Sequence, residues 1–518
     1  MTAQGAIPGT LRRQAVARIS RLFVSGLASV AALAGSAFAE ATHDFRNRNE
    51  ADAPALSAFV SAMHVHTSFS SGRYDLPTLT DLAKERNTDV VFLSDSLTES
   101  IEYGLFPLRH IFWANYHRPS VTTAGPRNYF EAIRKENERQ KDVLYIPGVE
   151  IVPRFRWSGS LRKGTLVCRN HQRNIIALGL GDADALHSVP VANGFVRGRH
   201  TGWIALTRAA LLLFLAACLA AGGLALPLAK RSGIPALAIA KAFFLVLVLP
   251  SALFMVVLNV AAARQPAFDL YGPDRPDRHE QKTIDALNRL GIPHFWAHPE
   301  AFDRHSFSLL GVPFKVETDP YPDLLEDTVG YTGFAGVNEG RNKLIEPGKG
   351  WDRLLNAYRT GQRDAPVWCF GEMLYHYEGQ ARTKKLGNVE TVIWAREKSS
   401  AALLESIRQG RFYARRNFEG QKLNLDVWGV QFGTPTVVEL AVSSATPGVE
   451  VELTLIRNGV PIRNSSHKTP FTLAYEASSD LDQEEAAYYR VLIEGPHPLR
   501  IASNPLFGQE GRKGGETD

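Results

Sequence analysis

Cysteine and one-sided charge are both scarce in this chain. The 518 residues include only three cysteines, Cys168, Cys218 and Cys369, which allow at most one bridge and exclude a disulfide framework. The 58 basic and 53 acidic residues leave a net charge of +5. Because the lysines and arginines are spread along the chain rather than clustered, we expect no nucleic-acid partner.

Apolar runs, by contrast, are long in two places. Near the N-terminus, arginines followed by an apolar run and small residues predict that residues 1–39 form a signal peptide or an N-terminal anchor. Residues 203–229 and 234–263 each hold about 20 mostly apolar residues, enough to cross a bilayer. We therefore predict a transmembrane hairpin over 203–263 and a cell-membrane protein. The soluble parts are expected on the extracytoplasmic, periplasmic side.

Seven short runs rich in Val, Ile, Phe and Tyr border polar residues outside those apolar stretches. They are FVSAM, VVFL, VLYIPGV, NIIALGL, IPHFWA, FAGV and APVWCF. Helical patterns lie between them, so the sequence predicts an α/β fold with a parallel barrel formed by residues 55–200 and 280–418. Functional groups of such barrels lie at the C-terminal ends of the strands, where these polar residues fall.

Two histidines one residue apart, His64 and His66, end the first of these runs. Side chains at positions i and i+2 of a strand point to the same face and can meet one cation. Asp95, Glu150 and His298 border three other predicted strands. Imidazole and carboxylate ligands together suit Zn²⁺, Mn²⁺ or Fe²⁺, so the set predicts a divalent metal site. Each residue alone has the alternative of being an ordinary satisfied polar group.

Seven motifs in a fixed order carry a family resemblance. They are HVHTSFSSG, VVFLSDS, YIPGVEI, IIALGLGD, FWAHPE, GVNEG…WDRLL and LLESIRQGRFYA. They resemble the PHP (polymerase and histidinol phosphatase) superfamily, and most of all its exported CehA/McbA-like branch. The resemblance implies a distorted (β/α)7 barrel and hydrolysis of a phosphoester by a metal cluster that activates water. It also implies that His64, His66 and Glu150 hold one metal. Glu150 would then bridge to a second metal that His298 also binds.

Four positions depart from that family pattern. Where the family usually has aspartate or histidine, this chain has Ser71, Ser96, Asn174 and Leu374. Hydroxyl and amide groups are poor ligands for these metals, so the resemblance implies a degenerate site of one or two ions. Three further residues could help to complete it: Glu372, His376 and, as a substitute ligand, His171.

The C-terminal region has a different pattern. Between residues 422 and 508, alternating strands are separated by turn signals such as Asn458-Gly459. This spacing predicts a small all-β, sandwich-like domain, and the polar residues 509–518 predict a disordered tail.

Two functions stay open at this point. The first is a membrane-anchored, exported, metal-dependent phosphoesterase-like hydrolase with Asp95 and Glu150 as candidate catalytic residues. Its substrate would be a phosphoester, expected close to the membrane. The alternative is a non-catalytic envelope sensor or scaffold with a PHP-like barrel. The lost ligands favour the alternative, whereas the five polar residues retained at strand ends favour the enzyme.

Overall fold

The computed structural model describes most of the chain outside its N-terminus and its long apolar stretches. The described residues are 56–104, 113–161, 163–192, 194–195, 214, 270–271, 276–309, 312–340, 342–381, 384–433, 435–477 and 487–508. The predicted signal segment 1–39 and the tail 509–518 lie outside them, and so does the predicted hairpin 203–263 apart from residue 214.

The described part is a mixed α/β structure dominated by strands. Its 26 strands are β1 Ser57–Val65, β2 Val90–Leu93, β3 Ser100–Gly104, β4 Trp113–His117, β5 Leu144–Ile146, β6 Gly148–Ile151, β7 Arg156–Ser158, β8 Val167–Arg169, β9 Ile175–Leu178, β10 Pro190–Val191, β11 Gly194–Phe195, β12 His294–Trp296, β13 Asp303–Leu309, β14 Val312–Thr318, β15 Gly333–Val337, β16 Trp368–Gly371, β17 Val389–Ala395, β18 Phe412–Arg416, β19 Leu423–Gln431, β20 Val437–Ser444, β21 Glu450–Arg457, β22 Val460–Lys468, β23 Phe471–Glu476, β24 Tyr488–Glu494, β25 Arg500–Ser503 and β26 Leu506–Phe507.

The described helices are fewer and mostly short. They are α1 Leu76–Glu85, α2 Val121–Ala124, α3 Pro126–Arg139, α4 Pro276–Arg289, α5 Leu324–Asp327, α6 Gly350–Arg359 and α7 Ser400–Arg408, with a 3₁₀ turn at Ala185–Ser188. Local sequence explains the start of α1, where the Asp75 side chain accepts from the Thr78 backbone N–H and Pro77 lies in the first turn. Gly291, with φ of 66°, follows the end of α4.

All seven apolar runs form strands, and the strands are buried on both faces. In β2, Val90 and Phe92 pack into one core cluster, whereas Val91 and Leu93 pack into another. Successive side chains of a strand point to opposite faces, so burial of both faces requires a continuous apolar run. The helices α1, α3, α4 and α6 contribute to the larger of the two clusters.

The predicted parallel, closed barrel is wrong, because the described strands form open sheets. The seven runs form eight strands, which divide between a ten-stranded sheet, with the order β22-β21-β24-β25-β18-β17-β1-β2-β5 and β26 on β24, and a five-stranded sheet, β16-β15-β12-β9-β6. In the second sheet, β9 runs antiparallel to both of its neighbours. Two isolated bridges link the sheets, Val65 to Tyr375 and Ser96 to Glu150.

Competition for the edge of β1 explains why the barrel stays open. The strand β17 pairs antiparallel with β1 from Ser57 to Ser61. Beyond Ser61, β1 meets the segment that follows β16 only at its end, where Val65 bridges Tyr375 and the Tyr375 backbone bonds to His64 and His66. An edge that has paired with one strand cannot pair with another, so the ladder that would close the barrel does not form.

The C-terminal strands pack as two layers, but one layer belongs to the ten-stranded sheet. The strands β19, β20 and β23 form a separate three-stranded sheet. Its inner residues, such as Trp428 and Leu440, share one core cluster with Leu453 and Val491 of the larger sheet. The predicted sandwich-like domain therefore has one separate sheet, and its second layer is part of the ten-stranded sheet. The proposed domain boundaries stay predictions.

The predicted membrane anchor finds no support in the structure. In the stretches that the structure describes, no helix is both long enough and apolar enough to cross a bilayer. The predicted fold class is therefore corrected to a mixed α/β structure without an identified transmembrane hairpin. The cell-membrane localisation, which depended on that hairpin, is withdrawn with it.

Candidate metal centre

Five titratable side chains converge where the two large sheets meet. His64 and His66 come from the end of β1 and the residue after it, and Glu150 comes from β6. His298 follows β12 by two residues, and Glu372 directly follows β16. Because β9 is antiparallel to its neighbours, its beginning lies at this edge, which brings Asn174 to the same place.

The five side chains form two groups that could each hold a metal ion. One group is His64, His66 and Glu150, and the other is His64, His298 and Glu372; the ligand atoms of each lie within 4.8 Å of one another. The two groups use different nitrogens of His64. Its Nε2 lies 3.1 Å from Glu150 Oε1, and its Nδ1 contacts Glu372 Oε1. His298 Nδ1 lies 3.4 Å from the same Glu372 oxygen.

Unusual backbone conformations orient the side chains of His64 and His298. His64 has φ of 63° and His298 has φ of 30°, values that L-residues with a bulky side chain rarely adopt. The register of β1 against β2 also shifts between Ala62 and Val65, which turns the chain at His64. As a result the His64 ring lies 5.1 Å from that of His66 and is stacked 5.7 Å from that of His298. Unusual backbone at such positions is typical of functional sites.

Burial and mutual charge set the protonation of this cluster. Burial opposes a charged imidazole at His64, but the carboxylates of Glu372 and Glu150 outweigh it and raise the pKa of His64 to about 9. Burial holds the pKa of His66 well below its usual range. Burial would also raise the pKa of Glu150 and Glu372, yet the adjacent His64 keeps both carboxyls well below their usual range.

Asp95 lies beside this cluster but outside both groups. Its buried carboxylate accepts from the Thr67 backbone N–H and hydroxyl, both at 2.8 Å, and from the Ser70 hydroxyl at 2.6 Å. Burial raises the pKa of Asp95 to about 6, although the bonds from Ser70 and Thr67 oppose the shift. The structure therefore brings Asp95 against the loop after β1, and its catalytic role stays a prediction.

His376 and His171 also approach the cluster without joining either group. The ring of His376 lies 4.7 Å from that of His66, and its Nδ1 is 3.0 Å from the Ser71 hydroxyl. His171 packs against Phe155, with ring centroids 5.7 Å apart. Burial lowers the pKa of each histidine to about 4, so both rings are neutral at pH 7.

Three of the four residues that depart from the family pattern, Ser71, Ser96 and Asn174, form hydrogen bonds with the cluster. Asn174 Nδ2 donates to Glu150 Oε1, and Ser96 donates to Glu150 Oε2 at 3.2 Å. Ser71 lies between His66 and His376. Sequence reasoning treated these positions only as lost ligands and missed Ser70 altogether. The proximity of Ser70 to His66 along the chain was the one available signal.

A cleft of about 730 Å³ opens onto the cluster. Glu150, His298, Glu372 and His376 line this cleft together with Asn174, Ser71 and His171. Arg118 and Lys384 bring positive charge to its walls, where Arg118 pairs with Glu99 at 2.7 Å and Lys384 pairs with Glu339 at 2.9 Å. Phe302 and Phe307 add an apolar face. The cluster is thus accessible to a small molecule that carries both charge and apolar surface.

The surroundings of His66 Nε2 indicate whether the cluster could bind a cation. His66 Nε2 is buried and has no hydrogen-bond partner among the described residues, although Glu150 Oε2 lies 3.7 Å away. A buried polar nitrogen without a partner costs free energy that a bound cation would recover. The donor set of imidazoles and carboxylates also matches Zn²⁺, Mn²⁺ or Fe²⁺. The residues present therefore fit a divalent metal.

The chain is similar to solved structures, whereas the comparisons with protein families and curated proteins find no match. One similar structure is a two-domain protein from Bacteroides vulgatus ATCC 8482 that contains a predicted PHP-like metal-dependent phosphoesterase. It is 12% identical, with 89% of each chain covered and a TM-score of 0.34.

A second similar structure is a proposed metal-dependent phosphoesterase from Bifidobacterium adolescentis ATCC 15703. It is 19% identical over 63% of this chain and 90% of that one, with a TM-score of 0.25. Both TM-scores lie below 0.5, so the functional conclusion has to come from the geometry of the cluster. Neither match names the CehA/McbA-like branch, which stays a prediction. The chain is similar to these two structures, one containing a predicted PHP-like metal-dependent phosphoesterase and the other a proposed metal-dependent phosphoesterase.

Proposed function

We propose that this chain is a metal-dependent phosphoesterase with a reduced metal centre. The observation that carries the proposal is the buried Nε2 of His66, which has no hydrogen-bond partner in the described part of the chain and lies 3.7 Å from the Glu150 carboxylate. A purely structural role for His66 leaves the desolvation of that nitrogen without compensation. A metal ion bound by His64, His66 and Glu150 would compensate the desolvation of this nitrogen.

The two groups share His64. A neutral imidazole has a lone pair on only one of its two ring nitrogens, so His64 can coordinate one ion at a time. An ion held through His64 Nε2, His66 and Glu150 leaves Glu372 and His298 without the third residue of their group. We therefore expect one tightly held ion, and a second only with weaker coordination. A divalent cation held by these residues would supply Lewis acidity for phosphoester hydrolysis. If His64 Nε2 coordinated the ion, its Nδ1–H would donate to the Glu372 carboxylate, which would orient the ring.

The cleft supports a phosphoester as the substrate. Arg118 and Lys384 on its walls are suited to the non-bridging oxygens of a phosphate, because charge-assisted hydrogen bonds to phosphate are strong. Each cation is already paired with a glutamate, so neither would be left unpaired before substrate binds. The apolar face with Phe302 and Phe307 is placed to contact the remainder of the ester.

The test measures metal content and hydrolysis in the same preparations. Wild type, His64→Ala/His66→Ala and His171→Ala are purified, reloaded with Zn²⁺, Mn²⁺ or Fe²⁺ without oxygen, and analysed by elemental mass spectrometry. Hydrolysis of p-nitrophenyl phosphate and bis-p-nitrophenyl phosphate follows. His171→Ala is the matched control, because His171 is also buried and lines the same cleft but belongs to neither group.

We expect about one equivalent of metal in wild type and in His171→Ala, since one complete ligand group can form at a time. The double variant should lose the metal, with kcat/KM reduced by about 100-fold or more. Wild-type protein that binds no metal after reloading would contradict the proposal. Protein that binds metal but hydrolyses neither ester, nor a broader phosphoester panel, would favour the non-catalytic sensor or scaffold.

A further inference from the structure

A chain of hydrogen bonds runs from Asp95 through Ser70 to the His66 ring. The Ser70 hydroxyl lies 2.6 Å from Asp95 Oδ1 and 3.0 Å from His66 Nδ1. All three side chains are buried. An ionised carboxylate only accepts hydrogen bonds, so the single hydroxyl hydrogen of Ser70 points to Asp95.

This direction determines where the proton of His66 resides. With its hydrogen committed to Asp95, the Ser70 oxygen can offer only a lone pair to His66 Nδ1. The bond at 3.0 Å then requires that Nδ1 carry the hydrogen. In a neutral imidazole the other nitrogen, Nε2, is left with a lone pair. That atom is the buried nitrogen with no partner among the described residues.

The second hydroxyl near His66 is compatible with this arrangement. Ser71 Oγ lies 3.3 Å from His66 Nδ1 and 3.0 Å from His376 Nδ1. If Ser71 donates to His376, its oxygen also presents a lone pair to His66. Both serines then accept from the same Nδ1–H, and neither requires the proton to move to Nε2.

We propose that Ser70 and Asp95 are positioning residues that hold His66 in its Nδ1–H tautomer, with the Nε2 lone pair directed at the metal position. Asp95 thus acts through Ser70 rather than as a ligand. The consequence for metal binding rests on the proposed function, whereas the tautomer is a property of the chain without metal. Outer residues of this kind commonly change metal affinity by about 10- to 100-fold when they are removed.

The first measurement is the tautomer of His66 in the metal-free full chain at pH 8. Long-range ¹H–¹⁵N correlation spectra of protein labelled at histidine distinguish a protonated from an unprotonated ring nitrogen, and His66→Gln assigns the signals. Wild type should show a neutral ring protonated at Nδ1. Asp95→Asn should show the same tautomer, because the oxygen that accepts from Thr67 N also accepts from Ser70.

The second measurement is Co²⁺ or Zn²⁺ affinity, with three variants of the same loop. Ser70→Ala should bind about 10- to 100-fold more weakly and show a mixed tautomer. Ser70→Thr keeps the hydroxyl and should restore both properties, which separates this role from a folding defect. Ser68→Ala is the matched control, because Ser68 is exposed in the same loop.

The outcomes separate the inference from the proposed function. A wild-type His66 protonated at Nε2, or a Ser70→Ala variant with unchanged tautomer and affinity, would overturn the inference even if the enzyme is active. An inactive protein that still shows the Nδ1–H tautomer and the loss of affinity in Ser70→Ala would overturn only the phosphoesterase.

Discussion

At the scale of single residues, the buried His64 is held between two carboxylates. Its buried ring lies between Glu150 on the Nε2 side and Glu372 on the Nδ1 side. Both carboxyls have a lowered pKa, and they raise the pKa of His64 to about 9. At pH 7 the metal-free ring is therefore a cation paired with two carboxylates. A metal ligand has to be a neutral imidazole, so metal and proton compete for this residue.

This competition predicts that metal affinity rises with pH. Below about pH 9 His64 must release its proton on binding, so the apparent affinity should increase by about tenfold per pH unit and level off above that value. Calorimetric titration with Zn²⁺ at pH 6.5, 7.5 and 8.5, in two buffers of different ionisation enthalpy, measures both the affinity and the number of protons released. His66 contributes no such proton, because its lowered pKa keeps it neutral over this range. An affinity that does not change with pH would contradict a protonated His64.

At the scale of elements, the turn after β1 depends on one close approach. The backbone N–H groups of Ser70 and Gly72 both donate to the Thr67 carbonyl at 3.0 Å. A Cβ at Gly72 would lie 2.2 Å from the carbonyl oxygen of His66. Such a contact is with backbone and cannot be relieved by rotating a side chain. The turn that presents His66 and Ser70 therefore requires glycine at this position.

Gly72→Ala should consequently affect both stability and the metal centre. The clash should cost about 1–3 kcal/mol of unfolding free energy, as overpacking of a tight site does, and should displace His66 enough to weaken metal binding. Gly181→Ala is the control, because a Cβ there meets nothing within 4 Å among the described residues. Urea unfolding and Zn²⁺ titration of both variants check the prediction. Equal effects of the two substitutions would show that the turn tolerates a side chain.

At the scale of the whole molecule, a buried ion pair joins the helix α6 to the C-terminal strand β24. Arg490 donates to the two oxygens of Asp352 at 2.7 and 2.6 Å, and Tyr488 donates to the same carboxylate at 2.8 Å. The guanidinium also lies 4.7 Å from the ring centroid of Trp351. Together with the continuous ten-stranded sheet, this contact ties the C-terminal strands to the part that holds the metal centre.

Loss of one member of this pair should destabilise the fold as a unit. Arg490→Met leaves the Asp352 carboxylate buried without its cation, which costs about 3–5 kcal/mol, whereas Asp352→Asn/Arg490→Met should recover part of that loss. The exposed pair of Arg134 and Glu131 provides the control, since Arg134→Met should change stability by about 1 kcal/mol or less. Chemical unfolding followed by circular dichroism gives these differences. An Arg490→Met variant as stable as the control would show that the pair is dispensable.

The amino-acid sequence alone predicts the strands of the seven apolar runs and the polar residues that border them, but not the strands β3, β4, β7, β8, β13 and β14. Continuous apolar runs are typical of strands buried on both faces, and each of the seven runs forms one or two strands. The spacing of His64 and His66 was enough to predict that the two rings would meet. These features depend on neighbours along the chain, which the sequence displays directly.

How those strands pair, and which polar groups face one another, depends on contacts between residues far apart in the chain. The barrel stays open because β17, more than 300 residues away along the chain, takes the edge of β1, and no local pattern records that competition. Glu372 contacts His64, whereas Asp95 turns to Thr67 and Ser70. Which of these contacts forms depends on differences of about 1 Å in the distance between side-chain atoms, since a hydrogen bond weakens steeply with distance and angle. Such distances exist only once the sheets have packed.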